Sequence, residues 1–199
     1  MNFKNVRHLY MSSCIVLCLI FLSPTLVVIV PFPEGEKFSE LWILGPTHMM
    51  EGYPFNVSSG ENYHVFLGVG NQMGEFEYYS IRVKLRNKSE LSPDSGAGLP
   101  SSLEPIFEYR VFLTNNATWE KEFSFSFEDV FFEDKVSRVS RISINGYHVN
   151  VNKVAVWDGA DSGFYYQLFF ELWIYNATVS SFQFHNRCVG FWLNVNKSL

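Results

Sequence analysis

Apolar and polar residues alternate with a period of two along most of the chain, which is the pattern of β-strands that bury one face. Residues 81–86 alternate Ile, Val and Leu with Arg and Lys, and residues 122–127 alternate Glu and Ser with Phe. Further predicted strands are residues 38–44, 64–69, 107–114, 137–144, 148–156, 164–175 and 189–195. Nine or so strands, with no convincing amphipathic helix among them, predict an all-β fold, an immunoglobulin-like β-sandwich.

Turn residues separate the predicted strands. They are Gly45-Pro46, Ser59-Gly60, the segment 71–74, Asn145-Gly146 and Asp158-Gly159. An Asn-Gly pair between two β-rich runs predicts a hairpin with a two-residue loop. Residues 87–105 are rich in Ser, Pro and Gly, and they are predicted to form a long exposed loop.

Two segments leave alternatives open. Residues 127–138 are compatible with a short helix, or with an extended segment whose Phe131 and Phe132 cap one end of the sandwich. Residues 164–175 are apolar on both faces of a strand. This pattern is typical of a central strand covered on both sides, or of a strand whose outer face meets a partner.

The N-terminal pattern is different. Residues 9–32 contain no charged residue, and Lys4 and Arg7 precede them. As a helix this segment would extend about 36 Å, enough for a hydrocarbon core of about 30 Å. We therefore expect a cytoplasmic segment at residues 1–8, a single transmembrane anchor at 9–32, a stiff stalk at 33–37 and an extracellular sandwich at 38–199. A cleaved signal peptide is the alternative, although the run is long and lacks a small-residue cleavage site.

Composition and charge narrow the function classes. Aromatic residues make up 18% of the chain, so it can bury a large core, and disorder is excluded for most of it. The net charge is −5, which argues against a general nucleic-acid binder. Residues 1–33 hold two basic groups and no acids, so the remainder carries 13 basic and 20 acidic groups, a net charge of −7. Such a domain should stand off anionic lipid headgroups.

Five Asn-x-Ser/Thr sequons follow the apolar segment, as expected of an extracytoplasmic glycoprotein, although any of them can also stay bare. They are Asn56, Asn87, Asn116, Asn176 and Asn196. Cys14 and Cys18 lie in the apolar segment and Cys188 is alone beyond it, so the predicted ectodomain has no internal disulfide. We expect Cys188 to be a buried thiol, with an intermolecular bridge as the alternative.

No residue pattern points to catalysis. The histidines are scattered without H-x-H or H-E-x-x-H spacing, and no G-x-S-x-G occurs. Asp158 and Asp161 could offer oxygen ligands to calcium, but the spacing of a known calcium loop is missing, and a polar hairpin turn is favoured. A hydrolase would need carboxylates or histidines that converge in a pocket. We expect no enzymatic activity, no cofactor and no metal.

The stretches FSELWILGP (38–46) and YPFNVSSGENYHVFLGVGN (53–71) resemble the recurring pattern of an archaeal family of membrane-anchored proteins, domain-of-unknown-function family 1616. FEYRVFLTNNATWEKEFSFSF (107–127) and FHNRCVGFWLNV (184–195) are similar to its middle and last strands. The positions that carry the first motif are Phe38, Glu40, Trp42, Leu44, Gly45, Pro46, Tyr53, Pro54, Asn56, Ser58, Gly60, Glu61, Gly68 and Asn71. The resemblance implies an extracytoplasmic immunoglobulin-like domain in an archaeal envelope, and it implies no catalytic residue.

The motif also has a physical interpretation of its own. Gly68 and Gly70 fall on one face of their strand, where a bulky side chain or another backbone could approach closely. Asn71 is suited to cap the turn that follows. We therefore expect these residues to serve the packing of the sandwich.

Two functions from different classes fit the sequence. The first is a non-enzymatic interaction module of the cell envelope that binds other envelope proteins. Its candidate contact surface, which could equally be core, comprises Phe131, Phe132, Tyr166, Phe170 and Trp173. The alternative is a carbohydrate- or ligand-binding domain in envelope glycoprotein or polysaccharide assembly. The tryptophans that could stack on sugar rings are Trp42, Trp119, Trp157 and Trp173.

Overall fold

The computed structural model describes residues 3–29 and 36–196, which fall into two units. The first unit, Met1–Lys37, contains the helix α1 (Phe3–Ile29). Within the described residues, no helix has both the length and the hydropathy of a membrane span. Residues 30–32 of the predicted anchor and 33–35 of the predicted stalk lie outside the described ranges.

The second unit, Phe38–Leu199, is a sandwich of two five-stranded sheets over its described residues. The strands are β1 (Phe38–Leu44), β2 (Asn56–Ser58), β3 (Tyr63–Gln72), β4 (Glu77–Asn87), β5 (Phe107–Leu113), β6 (Thr118–Glu133), β7 (Val136–Ile144), β8 (Tyr147–Val156), β9 (Tyr165–Asn176) and β10 (Ser181–Asn196). The first sheet has the order β1-β3-β6-β7-β8, and the second has the order β2-β10-β9-β4-β5. Neighbouring strands are antiparallel except β2 and β10. The prediction of an all-β sandwich is confirmed.

The core lies between the two sheets and is rich in aromatic rings. Phe123 of β6 and Phe170 of β9 are both fully buried, and their rings meet edge to face at 5.0 Å. Phe125 and Phe127, on the same face of β6, are buried beside them. Each such side chain contributes about 1.5–3 kcal/mol through burial alone.

The Asn145-Gly146 hairpin is confirmed. Ile144 pairs with Tyr147, so the loop has two residues. Both turn residues have positive φ, 50° at Asn145 and 82° at Gly146. This is the backbone of a type I′ turn, which Asn-Gly adopts readily.

The alternative of a short helix at residues 127–138 is wrong. Strand β6 continues to Glu133, and its pairing with β7 shifts register between Phe127 and Val130. The irregularity changes which residues face inward, so that Val130 and Phe132 pack on the core. The resulting break in the period-two pattern is what resembles a helix in the sequence.

The predicted exposed loop at 87–105 is not exposed throughout. Ser101 is buried and its N–H donates to Glu171 Oε1 at 2.7 Å. Lys84 Nζ donates to the carbonyl oxygen of Ser101 at 2.7 Å and lies 2.9 Å from Glu171 Oε2. The loop therefore crosses the outer face of the second sheet. Composition alone gave no sign of this, because the groups that hold the loop are charged or polar.

Strand β9 is central, lying between β10 and β4. Its inner face joins the core, and the loop crosses its outer face at Glu171. Residues 164–175 therefore form a central strand that is covered on both sides, which was the first of the two interpretations.

Candidate binding surface

The strands define two ends of the sandwich. We call the end where β1 begins the proximal end. Phe38 of β1 pairs there with Gln72 of β3, and a short turn leads from β3 to β4. The opposite end, where β4 and β10 finish and β9 begins, is the distal end.

Four residues of the sequence motif face one another across the neighbouring strands β1 and β3. Trp42 pairs with Gly68 and Glu40 with Gly70. A side chain on either glycine would collide with the Trp42 indole or the Glu40 carboxylate. The indole Nε1 then donates to Glu120 Oε2 at 3.1 Å, across β3. The expected close approach at these two glycines is confirmed.

Asn71 caps the turn between β3 and β4, as expected. It is fully buried, and its Oδ1 accepts the N–H of Met73 at 2.9 Å. Its Nδ2 donates to the carbonyl oxygens of Glu75 and Leu113, both at 2.8 Å. One side chain therefore joins two neighbouring turns at the proximal end.

The remaining motif residues shape loops. Gly45 is buried, and a side chain there would collide with the carbonyl oxygen of Glu51. Tyr53 donates from its hydroxyl to the carbonyl oxygen of Ile43 at 2.8 Å. Gly60 takes a φ of 82° in a turn, while Pro46 is exposed and Pro54 half-buried. These contacts stabilise the sandwich.

The distal end is closed by aromatic rings. Phe164, just before β9, contacts Phe132 at 5.5 Å and Trp157 at 5.1 Å between ring centroids. The next residue, Tyr165, contacts Phe55 at 6.1 Å. The prediction that the 131–132 aromatic pair caps one end of the sandwich holds for Phe132, while Phe131 points away from the core.

Four large apolar side chains remain accessible at this end. Their exposed fractions are 49% for Phe55, 61% for Phe131, 68% for Val156 and 41% for Trp157. We call these four residues the distal surface. Large accessible apolar side chains at one end of a domain are candidate contact points for a partner.

A lysine and two aspartates lie beside the distal surface. Lys88 Nζ is 2.5 Å from Asp158 Oδ2 and 2.5 Å from Asp161 Oδ2. The hydrogen bond from Lys88 lowers the pKa of Asp158, helped by the N–H groups of Ala160 and Asp161. The hydrogen bonds that Lys88 donates to Asp158 and Asp161 raise the pKa of Lys88. Asp158 and Lys88 are therefore both charged at neutral pH.

The segment 158–163 forms the polar hairpin turn that was favoured. Asp158 and Gly163 exchange backbone hydrogen bonds at 2.9 and 3.2 Å. The two carboxylates that could have offered ligands to calcium converge on the Lys88 ammonium instead. Over the ranges 3–29 and 36–196, no three His, Cys, Asp or Glu side chains are grouped as metal ligands.

A groove of about 480 Å³ lies next to this cluster. Phe55, Lys88, Asp161, Tyr165 and Trp192 line it, and we call it the distal groove. Trp192 was not among the candidates from the sequence. The sequence does carry a signal, because Trp192 and Asn194 alternate with Phe191, Leu193 and Val195, and alternate residues of a strand point to opposite faces.

The predicted contact surface is only partly at the surface. Tyr166 and Phe170 are fully buried between the sheets and belong to the core, which corrects their assignment. Trp173 lies half-buried on the outer face of the second sheet. The Arg82 guanidinium carbon lies over its ring, 3.8 Å from the ring centroid. Phe131 is exposed and Phe132 is half-buried. A strand that is apolar on both faces gives no indication of which face is the inner one.

Most of the tryptophans proposed for sugar stacking already pack against, or hydrogen-bond to, other residues of the sandwich. Trp42 lies over Gly68, and Trp119 packs on Tyr109 at 5.3 Å. Trp173 donates from Nε1 to Glu171 at 3.1 Å. Of the four, Trp157 is the most exposed, and the other three are half-buried.

The sequons differ in how their side chains are held. Asn87 is half-buried and donates from Nδ2 to the carbonyl oxygen of Val154 at 2.7 Å. Asn56 and Asn196 are exposed but lie side by side, with Asn196 Nδ2 3.4 Å from Asn56 Oδ1. Asn116 and Asn176 are exposed at turns. The last two offer the most accessible amides for a glycan.

The model of the family described as "Domain of unknown function (DUF1616)" matches residues 32–137, just over half of the chain. The chain belongs to the DUF1616 family. The match includes both stretches that carry the motif and ends within β7, so the DUF1616 segment contributes most of the first sheet. The C-terminal stretch 184–195 lies outside it. No curated protein matches the chain in sequence.

Several solved structures are similar to this DUF1616 chain. A β-glucosidase from Listeria innocua, in complex with gluconolactone, is 13% identical with a TM-score of 0.43; the match covers 84% of this chain and 17% of the enzyme. A chain of the human seminal plasma complex of zinc 2-glycoprotein and prolactin inducible protein is 7% identical, with coverages of 83% and 100% and a TM-score of 0.39. The C-terminal domain of wzt is 9% identical, with coverages of 87% and 86% and a TM-score of 0.35.

Proposed function

We propose that this DUF1616 chain is a non-enzymatic interaction module of the cell envelope, anchored once in the membrane with its sandwich outside the cell. The observation that carries the proposal is the distal surface, where four large apolar side chains are 41–68% exposed at one end of a sandwich. The archaeal envelope implied by the sequence motif is part of the same proposal.

Support for the anchor comes from the N-terminal helix. From Ile15 to Phe21 the apolar side chains are 51–78% exposed. Consecutive helical residues point about 100° apart, so this part of the helix is apolar on every side, as lipid-facing helices are. The uncharged run continues to Phe32, and Lys4 and Arg7 precede it, which favours a cytoplasmic N-terminus.

The chemistry of the distal surface favours a particular kind of partner. Two acidic turns flank it: Glu133 and Asp134 in one, Asp158 and Asp161 in the other. The bases in and beside these turns are Lys135 and Lys88, so carboxylates outnumber ammonium groups there by four to two. We infer a protein partner with an apolar centre and a basic rim, since opposite charges around an apolar contact steer association and fix its orientation.

Photo-cross-linking in intact cells tests this proposal. A benzophenone side chain placed at Phe55 or at Phe131 should form adducts with the same envelope protein when the cells are irradiated. Tyr147 is the matched control, because it is 66% exposed but lies at the opposite end of β8. Phe131→Ala should reduce recovery of that protein about tenfold or more, the effect of losing an interface hot spot of about 1.4 kcal/mol or more.

The adducts formed at the control position, Tyr147, show whether binding is specific to the distal end. Adducts of the same protein from Tyr147, or different proteins from Phe55 and Phe131, would contradict a binding surface at the distal end. A partner that is cytoplasmic would contradict the proposed orientation.

The distal groove favours saccharide binding as a second candidate. Phe55, Tyr165 and Trp192 supply aromatic faces, and Lys88 and Asp161 supply polar groups at the rim. Sites for small polar ligands combine apolar walls with a few such groups.

Titration of tryptophan fluorescence tests the saccharide candidate. Oligosaccharides released from the host envelope should change the emission of the full chain with a saturable dependence on concentration. Trp192→Phe should abolish the change, and Trp157→Phe should preserve it. A response that survives Trp192→Phe, or no response at millimolar sugar, would exclude the groove as a saccharide site.

A further inference from the structure

A second groove, of about 840 Å³, lies at the proximal end of the second sheet's outer face. Its lining includes Phe76, Tyr78, Phe112, Tyr175 and Phe182. Phe76 and Phe112 are 67% and 64% exposed. We call it the proximal groove. So large an accessible aromatic surface is unfavourable in water unless something covers it.

The rings of the proximal groove are already ordered by one another. Tyr78 and Phe112 stack with centroids 4.0 Å apart and planes 4° apart. Phe182 contacts Tyr78 at 5.1 Å and Tyr175 at 5.4 Å. The groove is therefore a preformed aromatic floor.

Asn176 lies in the wall of this groove, at the last position of β9. With Ala177 and Thr178 it forms one of the five sequons, and all three residues are exposed. The N–H groups of Thr178 and Val179 donate to Asn176 Oδ1 at 2.9 and 3.4 Å. This turn holds the amide oxygen, and Asn176 Nδ2 donates no hydrogen bond to the residues that the structure describes.

We propose that Asn176 carries an N-linked glycan whose first sugars lie in the proximal groove and cover Phe76, Phe112 and Tyr175. The inference rests on the proposed location of the sandwich outside the cell. The donor is a lipid-phosphate-linked oligosaccharide, used by a separate transferase. Asn176 Nδ2 forms a bond to the anomeric carbon and loses one proton, while the lipid phosphate leaves with the electron pair of the broken carbon–oxygen bond.

The chemistry of the groove suits a sugar that is tethered at its edge. The C–H face of a sugar ring can lie on the electron-rich face of an aromatic ring, while its hydroxyls reach Arg110, Glu75 and Glu77 in the groove wall. Each such contact is weak. Attachment at Asn176 raises the effective concentration of the sugar at the groove, so weak contacts suffice.

The sequon offers a sharp pair of variants in the full chain, expressed in a host that glycosylates envelope proteins. Thr178→Ala should remove one glycan by intact mass, raise the binding of the apolar dye ANS at least twofold, and lower the melting temperature by about 2–4 °C. Thr178→Ser keeps the sequon and should change none of the three. Thr118→Ala removes the Asn116 sequon, which lies outside the groove, and should leave dye binding unchanged.

A second variant shows whether the glycan touches the rings. Phe112→Ser should lower the melting temperature in the glycosylated chain and have a smaller effect in the Thr178→Ala background, because the contact is then already lost. Equal effects in both backgrounds, or loss of the glycan without extra dye binding, would overturn the inference.

Protease added to intact cells separates this inference from the proposed function. A sandwich that is cleaved from outside and has a bare Asn176 overturns the glycan alone. A sandwich protected inside the cell overturns the proposed location as well.

Discussion

Lys84→Met is expected to lower the free energy of unfolding by about 3–5 kcal/mol. The Lys84 and Glu171 side chains are 3% and 0% exposed, with Nζ and Oε2 2.9 Å apart. Without the ammonium group, the buried Glu171 carboxylate loses its ionic partner and the Ser101 carbonyl loses its donor. Urea denaturation of the full chain in mild detergent, followed by tryptophan fluorescence, measures the change.

Two further variants show whether the loss comes from the unpaired charge. Lys84→Met combined with Glu171→Gln should be more stable than Lys84→Met alone, because the neutral amide can still accept the Ser101 N–H. Arg110→Met breaks an ion pair whose arginine is 56% exposed, and it should leave stability nearly unchanged. Equal losses from the buried and the exposed pair would show that burial of Lys84 is unimportant.

Phe170→Ala should lower the free energy of unfolding by a similar amount, about 3–5 kcal/mol, for a different reason. The side chain is fully buried and meets Phe123 edge to face, so its removal leaves a cavity between the sheets. A loss of this size is a large part of the stability of a typical domain, about 5–15 kcal/mol. The same denaturation experiment measures it.

Phe131→Ala is the matched control, since both residues are phenylalanines on strands. Phe131 is 61% exposed, so its removal should change stability by about 0.5 kcal/mol or less. Its effect should appear in partner recovery instead. If Phe170→Ala unfolded the chain no more readily than Phe131→Ala, the assignment of Phe170 to the core would be wrong.

Much of the fold could be predicted because its strands have one polar face. Strand β1 was predicted with its observed bounds, and the Asn145-Gly146 turn followed from the left-handed backbone that a two-residue hairpin requires. Strand β2 was not predicted, since three residues are too few to show a period. The end of β6 was ambiguous because a bulge shifts the pattern by one residue.

The candidate sites were harder to predict, since each depends on residues far apart in the sequence. Phe131 was recognised as a candidate for this surface, but the other exposed aromatic residues of the distal end, Phe55 and Trp157, come from other parts of the chain. Tyr166 and Phe170 were assigned to the same surface because β9 is apolar on both faces. The loop over Glu171 was predicted to be exposed, since an ion pair between residues 87 positions apart leaves no mark on local composition.

Strand β10, which ends the described sandwich, also has a consequence for the order of folding. It lies between β2 and β9, where Asn194 pairs with Asn56, 138 residues earlier in the chain. Synthesis therefore delivers the apolar β9 before one of its two neighbours exists. Until β10 arrives, β9 has an open edge that other strands could join, so we expect the risk of aggregation to be greatest late in the synthesis of this domain.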